Sequence, residues 1–330
     1  MVVTTRKRQS LGTSLGSLEK GFILTCQTEG KSARTVEYYR DNLRRFLWYA
    51  EQKGWPDDAR LITGWEIRDF LVYISNTTQR WGLTGNGSES SRGRASHSTT
   101  HHYFVVLSVF FNWAVREGFL SESPLATIKV ARPQARMIQP YTCEDIQAML
   151  KVCDWDYQHN ARFLGSRNRA IILALLDTGV RLSELAGMKL AHLDSNKGWI
   201  RVRGKGNKER VVRIGKLAQK ALWTYLTWRP EGRDEVWLSE EGQPLSAHAI
   251  QCLILRLKHR GGVRGEGSVH RFRHTFALNF LRADGNPRNL QFLLGHGTID
   301  MSMRYVAALG LEDALKAHEK ASPVDLMGLK

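Results

Sequence analysis

The chain has few of the residues that staple small folds together. Its 330 residues include only four cysteines, Cys26, Cys143, Cys153 and Cys252, spread far apart with no close pair. Such spacing argues against a disulfide framework or a zinc-finger array and fits reduced, partly buried thiols of an intracellular protein. Long apolar runs are missing too. The longest, around 103–115 and 170–176, are too short or too interrupted to span a bilayer. The N-terminus, MVVTTRKRQS, leads into no apolar core of the signal-peptide kind. No internal repeat of solenoid length recurs. A soluble, cytoplasmic chain with no membrane partner is expected.

Acidic residues are the other deficit. Lys and Arg number 48 against 32 Asp and Glu, a formal charge of +16 and a pI near 9.9. The excess is not confined to a tail: residues 1–138 hold 19 Lys and Arg against 12 acids, and 139–330 hold 29 against 20. A basic peripheral membrane protein more often concentrates its charge on one amphipathic helix, whereas two separately basic lobes fit a polyanion between them. Nucleic acid is the expected partner.

Residues 1–14, with Arg6, Lys7 and Arg8 in a run, read as a mobile basic tail. From there the pattern is helical. In SARTVEYYRDNLRRFLWYAEQKG the apolar positions Val36, Tyr39, Leu43, Phe46, Leu47 and Ala50 share one helical face, Ser32 or Thr35 can cap the start and Gly54 ends it. A helix over about 65–76, a Gly- and Ser-rich loop and a strong helix from SHSTTHHYFVV complete a bundle of about four helices over 15–123. The stretch 124–140, with three prolines, reads as an extended interdomain linker.

The second domain, 141–322, opens on a helix begun by Thr142 with Glu144 and Asp145, followed by a buried helix, RAIILALLDTG, stopped by Gly179. In GWIRVRGKGNKERVVRIG two β-rich runs, 199–203 and 210–214, flank a Gly-Lys-Gly-Asn-Lys turn, the pattern of a hairpin. The remainder is helical over about 217–229, 247–259 and the segments beyond, and 323–330 form a short tail. The fold class is mainly α with a small β-hairpin or sheet in the second domain, an α+β arrangement.

One stretch invites chemistry. HRFRHTFALNF places two histidines and two arginines within five residues at the mouth of a helix. His270 and His274, four apart, share a helical face and so suit a metal. However, no His-Glu-x-x-His or Cys pair accompanies them, and Arg273 on that face would repel a divalent cation. A packed structural histidine is the plainer reading of His274. A phosphate explains the mixture more economically, since the planar fork of Arg273 matches phosphate oxygens and His270, one turn away, donates another hydrogen bond. Other cations stand at structural breaks: Arg181 after the Asp177-Thr178-Gly179-Val180 turn, Lys205 between two glycines at the hairpin tip, and His296 between Gly295 and Gly297. Taken singly, each reads as a solvated side chain or a surface ion pair.

Taken together, TGVRLSELAGM, GKGNKERVV, HRFRHTFA and LLGHGTIDMSMRYV resemble, in order and spacing, the catalytic domain of the tyrosine recombinases, the phage-integrase family. The resemblance covers residues 139–322, and the N-terminal bundle resembles the family's SAM-like core-binding domain. It implies a C-shaped clamp on DNA, with Arg181 and Arg273 as the catalytic arginines, Lys205 as the hairpin lysine and His270 paired with Arg273. His296 is implied as the last phosphate contact, Tyr305 as the nucleophile and Glu184 as a support for Arg181. An ordinary surface carboxylate is the alternative for Glu184.

These residue types suit the reaction. Attack on a phosphodiester adds negative charge to the non-bridging oxygens, which fixed cations and donors can neutralise without a metal or other cofactor. A lysine on a hairpin can protonate the departing 5′-oxygen. A phenol gives a 3′-phosphotyrosine reactive enough to be displaced by a second strand. His296 and Tyr305, nine residues apart, lie about two and a half helical turns apart and on opposite sides of any straight helix. Gly297 is therefore expected to break the chain, with Thr298 restarting a short helix that carries Tyr305. On the helix read from SARTVEYYRDNLRRFLWYAEQKG, Arg34, Arg40, Arg44 and Arg45 are candidate DNA contacts.

The resemblance further implies a double-stranded recombination site and a tetramer on two duplexes, monomeric or dimeric when free. Such a tetramer would be assembled by docking of the helix after Tyr305 into a neighbour, packing in cis being the alternative. An accessory directionality factor and a prokaryotic or phage origin, with nucleoid association, belong to the same expectation. The two-domain length leans toward the transposon-type branch. Topoisomerase-like relaxation and a non-catalytic architectural role are the competing functions.

Overall fold

The computed structural model describes residues 12–77, 94–133, 139–194, 196–204, 209–265, 267, 269–283 and 285–310, with 313, 315 and 318 beyond them. The chain divides into two compact units, Met1–Ala135 and Arg136–Lys330. The expected basic tail and Gly/Ser-rich loop fall outside the described residues for most of their length.

The first unit contains α1 (Leu15–Thr28), α2 (Ala33–Gln52), α3 (Gly64–Asn76) and α4 (His97–Arg116). Each starts where a side-chain oxygen satisfies an amide that the helix cannot. Ser14 accepts from Ser17 N–H, Ser32 from Thr35 N–H and Ser96 from Thr99 N–H, while Thr63 and Glu66 form a capping box. The apolar faces meet in an aromatic core. Phe46 packs edge-on against Phe70 at 5.2 Å, and Phe22 against Phe110 at 5.6 Å, geometries that place ring edges on ring faces. Leu125 and Ile128 are buried in this same core. The start of the expected linker is thus packed rather than extended through solvent, because its apolar residues have a core within reach.

The second unit contains α5 (Cys143–Gln158), α6 (Arg162–Thr178), α7 (Leu182–Ala186), β1 (Leu193–Asp194), β2 (Trp199–Arg203) and β3 (Glu209–Arg213). After these come α8 (Lys216–Leu226), α9 (Ala247–Arg260), α10 (Val269–Arg282), α11 (Pro287–Leu294) and α12 (Asp300–Val306). The hairpin has the expected strands, with Arg203 opposite Glu209 and Ile200 opposite Val212. A two-residue β1 pairs antiparallel with β2 and makes a third strand too short to leave a sequence period. Helix α6 is apolar on every side from Ala170 to Leu175, and this half forms the centre of the core. It ends because Gly179 adopts φ 59°, and a Cβ there would meet the Phe276 ring at 2.5 Å. Helix α8 stops at Leu226, three residues before the expected end, because Arg229 turns inward to the carbonyls of Pro230, Arg233, Glu235 and Val236. The four thiols are free: Cys26 and Cys153 are buried, Cys143 is exposed and Cys252 lies between.

Candidate active site

The C-terminal end of α11 is the point on which the site is built. A helix end presents carbonyls that have no partner within the helix and carries the negative end of the helix dipole. Three successive carbonyls there each accept from a different arginine. Arg210 Nε donates to Leu293 O at 2.8 Å, Arg273 Nη2 to Leu294 O at 2.7 Å and Arg181 Nη2 to Gly295 O at 3.2 Å. Gly295 closes the helix at φ 61°. The chain break therefore lies at Gly295, and α12 begins at Asp300 rather than Thr298. Gly297, expected to be the breaking residue, has no positive φ and open space around its Cα.

Arg181 caps the short α7, and Glu184 one turn on accepts from both its N–H and its guanidinium at 2.7 and 2.9 Å. Arg210 grips both oxygens of the same carboxylate, at 2.7 and 2.8 Å. Glu184 is only 2% exposed, so it is no surface carboxylate. Burial alone would raise its pKa, but the hydrogen bonds from Arg210 and Arg181 outweigh that and hold it at about 2.

The cations at the start of α10 diverge. Arg271 faces away from the site: its guanidinium lies 4.2 Å from the Tyr141 ring and bonds the carbonyls of Gln139 and Pro140 and the Asp145 carboxylate. Arg273, 6% exposed, faces the site and bridges Gly179 O at 2.8 Å to Leu294 O. Burial and the neighbouring Arg181 charge bring its pKa to about 10, which still leaves it charged at neutral pH. His270 stands at the helix start with part of its surface open to solvent, and partial desolvation with the charges of Arg273 and Arg181 holds its pKa below the ordinary histidine value.

His296 is 9% exposed, and burial with the charges of Arg273, Arg181 and Arg210 depresses its pKa to about 4. Its Nδ1 is hydrogen bonded to Ser302 Oγ at 2.8 Å. Tyr305 lies parallel to the His296 ring, 5° between planes and 6.2 Å between centroids, with His274 at 5.3 Å from the phenol ring. The Tyr305 ring packs on the apolar cluster of Ala277, Leu281, Leu290 and Leu294. Burial raises its pKa, while the charge of Arg273, a hydrogen-bonding contact with it and the charge of Arg181 pull the other way.

Five of the sequence candidates therefore meet at one place: Arg181, Glu184, Arg273, His296 and Tyr305, with His270 at the edge. Lys205 lies outside the described residues. Sequence reasoning missed Arg210, Ser302 and the contact of His274 with Tyr305. Alternation along β3 was a usable signal, since Arg210 stands two residues from the buried Val212 and shares its side of the strand. Ser302 precedes Tyr305 by three residues, one helical turn. Arg34, Arg44 and Arg45 are exposed on α2 and Arg40 is half-buried on the flank beside Leu43, with Arg45 also donating to Tyr103 Oη. Among the described residues no cluster of three His, Cys, Asp or Glu could hold a metal ion, and no helix is long and apolar enough to cross a membrane.

Residues 141–310, just over half the chain, match the phage integrase family, and the chain belongs to that family. It is a tyrosine-type site-specific recombinase, an enzyme that cuts and rejoins DNA strands through a covalent 3′-phosphotyrosyl intermediate. It is 28% identical over 301 residues to tyrosine recombinase XerC of Listeria innocua, covering 89% of this chain and 93% of that one. To tyrosine recombinase XerD of Listeria monocytogenes it is 28% identical over 297 residues, covering 87% and 93%. Its fold is similar to that of the Tn1549 transposon integrase in complex with a circular intermediate DNA, with a TM-score of 0.69 and 19% identity over 94% of this chain and 100% of that one.

Proposed function

We propose that Tyr305 is the nucleophile, that Arg181, Arg273, His270 and His296 hold the scissile phosphate, that Lys205 protonates the departing 5′-oxygen and that Glu184 holds Arg181 in place. What supports this reading is the Tyr305 ring parallel to the His296 ring, 6.2 Å away between centroids, beside two arginines whose forks are fixed on backbone carbonyls and, for Arg181, on Glu184. Each guanidinium has five N–H donors, and two from Arg181 and two from Arg273 are engaged by these protein acceptors. The phenol oxygen forms a bond to phosphorus as the bond to the 5′-oxygen breaks, and a 5′-hydroxyl from a second strand reverses the step. Bond energy is kept in the phosphotyrosine, so no nucleotide is consumed.

Double-stranded DNA is the substrate, contacted in part by Arg34, Arg40, Arg44 and Arg45 on α2. The domain order in this reading is a basic tail 1–14, a core-binding domain 15–123, a linker 124–140, a catalytic domain 141–322 and a tail 323–330. Exchange takes place in a tetramer on two duplexes inside a prokaryotic cytoplasm, with an accessory factor setting direction. Whether the product is an integration, an excision or a transposition depends on where the two sites lie, since the strand chemistry is common to all. The test is covalent capture from a pool of nicked duplexes with a randomised core, in excess chelator. Wild type should give a protein–DNA adduct and Tyr305→Phe none, while Arg181→Ala or Arg273→Ala should slow its formation by about a hundredfold or more. An adduct formed by Tyr305→Phe would refute the assignment, and relaxation of a single-site plasmid without strand exchange would point to topoisomerase activity instead.

A further inference from the structure

Helix α12 carries Tyr305 and, one turn earlier, Ser302, whose side chain is completely buried and hydrogen bonded to His296 Nδ1. The main chain of His296 is fixed separately, its N–H donating to Gln291 O and its carbonyl accepting from Gln291 Nε2. What Gln291 leaves undetermined is which ring nitrogen bears the proton. A neutral imidazole has one N–H, and a partner at one nitrogen decides what the other offers. Burial and three arginine charges keep this ring neutral, so it is a donor at one nitrogen only.

We propose that Ser302 is a positioning residue for strand cleavage: its hydroxyl donates to His296 Nδ1, so the ring's single N–H sits on Nε2 and is available to the scissile phosphate. Because Ser302 and Tyr305 share one helix, the packing of α12 that brings the nucleophile to the site also sets the histidine. Docked α12 thus supplies attacking oxygen and oriented donor together, and displaced α12 supplies neither. The inference rests on the assignment of His296 to the phosphate.

A double-mutant cycle tests it, with single-turnover adduct formation on one captured nicked duplex as the rate and intact-duplex binding measured alongside. Ser302→Ala should slow cleavage roughly tenfold, the effect of losing one net hydrogen bond, with binding of intact DNA unchanged. In the His296→Ala background the same change should add almost nothing. Independent, multiplying losses would mean that Ser302 acts through packing alone and would overturn the proposal. Ser302→Thr and Ser302→Val control for volume, because they differ in a hydroxyl against a methyl. Thr should retain most of the activity and Val should match Ala, whereas equal rates for the two would be fatal. With ¹⁵N-histidine labelling, the His296 signals, identified by their loss in His296→Gln, should show the proton on Nε2. A proton on Nδ1 would reverse the donor and sink the idea. If His296→Ala alone leaves cleavage at the wild-type rate, the phosphate role of His296 falls and this inference with it.

Discussion

Arg181 and Arg273 are held by protein acceptors before any phosphate is bound, and this separates them from the solvated cations they resemble in sequence. Arg181, His270, Arg273, His296 and Tyr305 were picked out together only by their resemblance in order and spacing to the family motifs, since each alone reads as a solvated or packed side chain. Arg210 was overlooked among Arg201, Arg203 and Arg213, the exposed arginines of the same hairpin, although alternation along β3 puts it on the buried side. Alternation gives its side of the strand but not its partner, because the contact with Glu184 spans 26 positions of sequence.

The same burial gives the site a pH signature. His296 is neutral when folded, with a pKa of about 4 against an ordinary 6.5, so below that ordinary value the unfolded chain binds a proton that the folded chain refuses. Stability should therefore decline as pH falls from 6.5 toward 4, by an amount on the order of 3 kcal/mol from this ring. His270 and His274, both depressed, act in the same sense. Glu184 contributes stability above 4.5 that is lost as pH falls toward its folded value of about 2. Denaturation midpoints measured across this range should slope less steeply for His296→Gln between pH 6.5 and 4. An unchanged slope would show that the ring is not held neutral by the fold.

The elements themselves were largely written in caps and periods. Ser32, Thr142 and Gly179 all bound helices where the sequence signals them. The break after α11 was misplaced by two residues because both Gly295 and Gly297 are candidates by composition, and only the backbone angle distinguishes them. That distinction makes a paired test. Gly295→Ala forces a Cβ into the left-handed region, 3.1 Å from the Arg210 side chain, and should cost about 1–2 kcal/mol of stability while slowing cleavage through displacement of that guanidinium. Gly297→Ala meets open space and should leave the denaturation midpoint nearly unchanged. Equal effects from the two substitutions would place the hinge elsewhere.

Across the whole molecule, the charge excess is shared by both units, so affinity for DNA should be dominated by release of counterions from phosphates. A plot of log affinity against log salt should fall steeply, and neutralising any one of Arg34, Arg40, Arg44 or Arg45 that contacts a phosphate should flatten its slope by about 0.9. A substitution that lowers affinity without changing the slope would assign that arginine to another task. Where in the DNA the protein binds was never legible, because base contacts depend on side chains whose identity follows no period.

Of the three guanidinium groups gathered at the end of α11, Arg181 and Arg210 share the Glu184 carboxylate and Arg273 is held by carbonyls, which leaves two positive charges uncompensated. A phosphodiester at rest brings a single negative charge, but the same diester under attack by a phenolate bears two. If these groups hold the scissile phosphate as proposed, the pocket is over-positive for the resting diester and closer to balance for the species halfway through the exchange. Complementarity to that species is what accelerates a reaction, rather than tight hold of the ground state. A trigonal-bipyramidal vanadate bridging Tyr305 and a cleaved strand should accordingly be retained far longer than the uncut duplex.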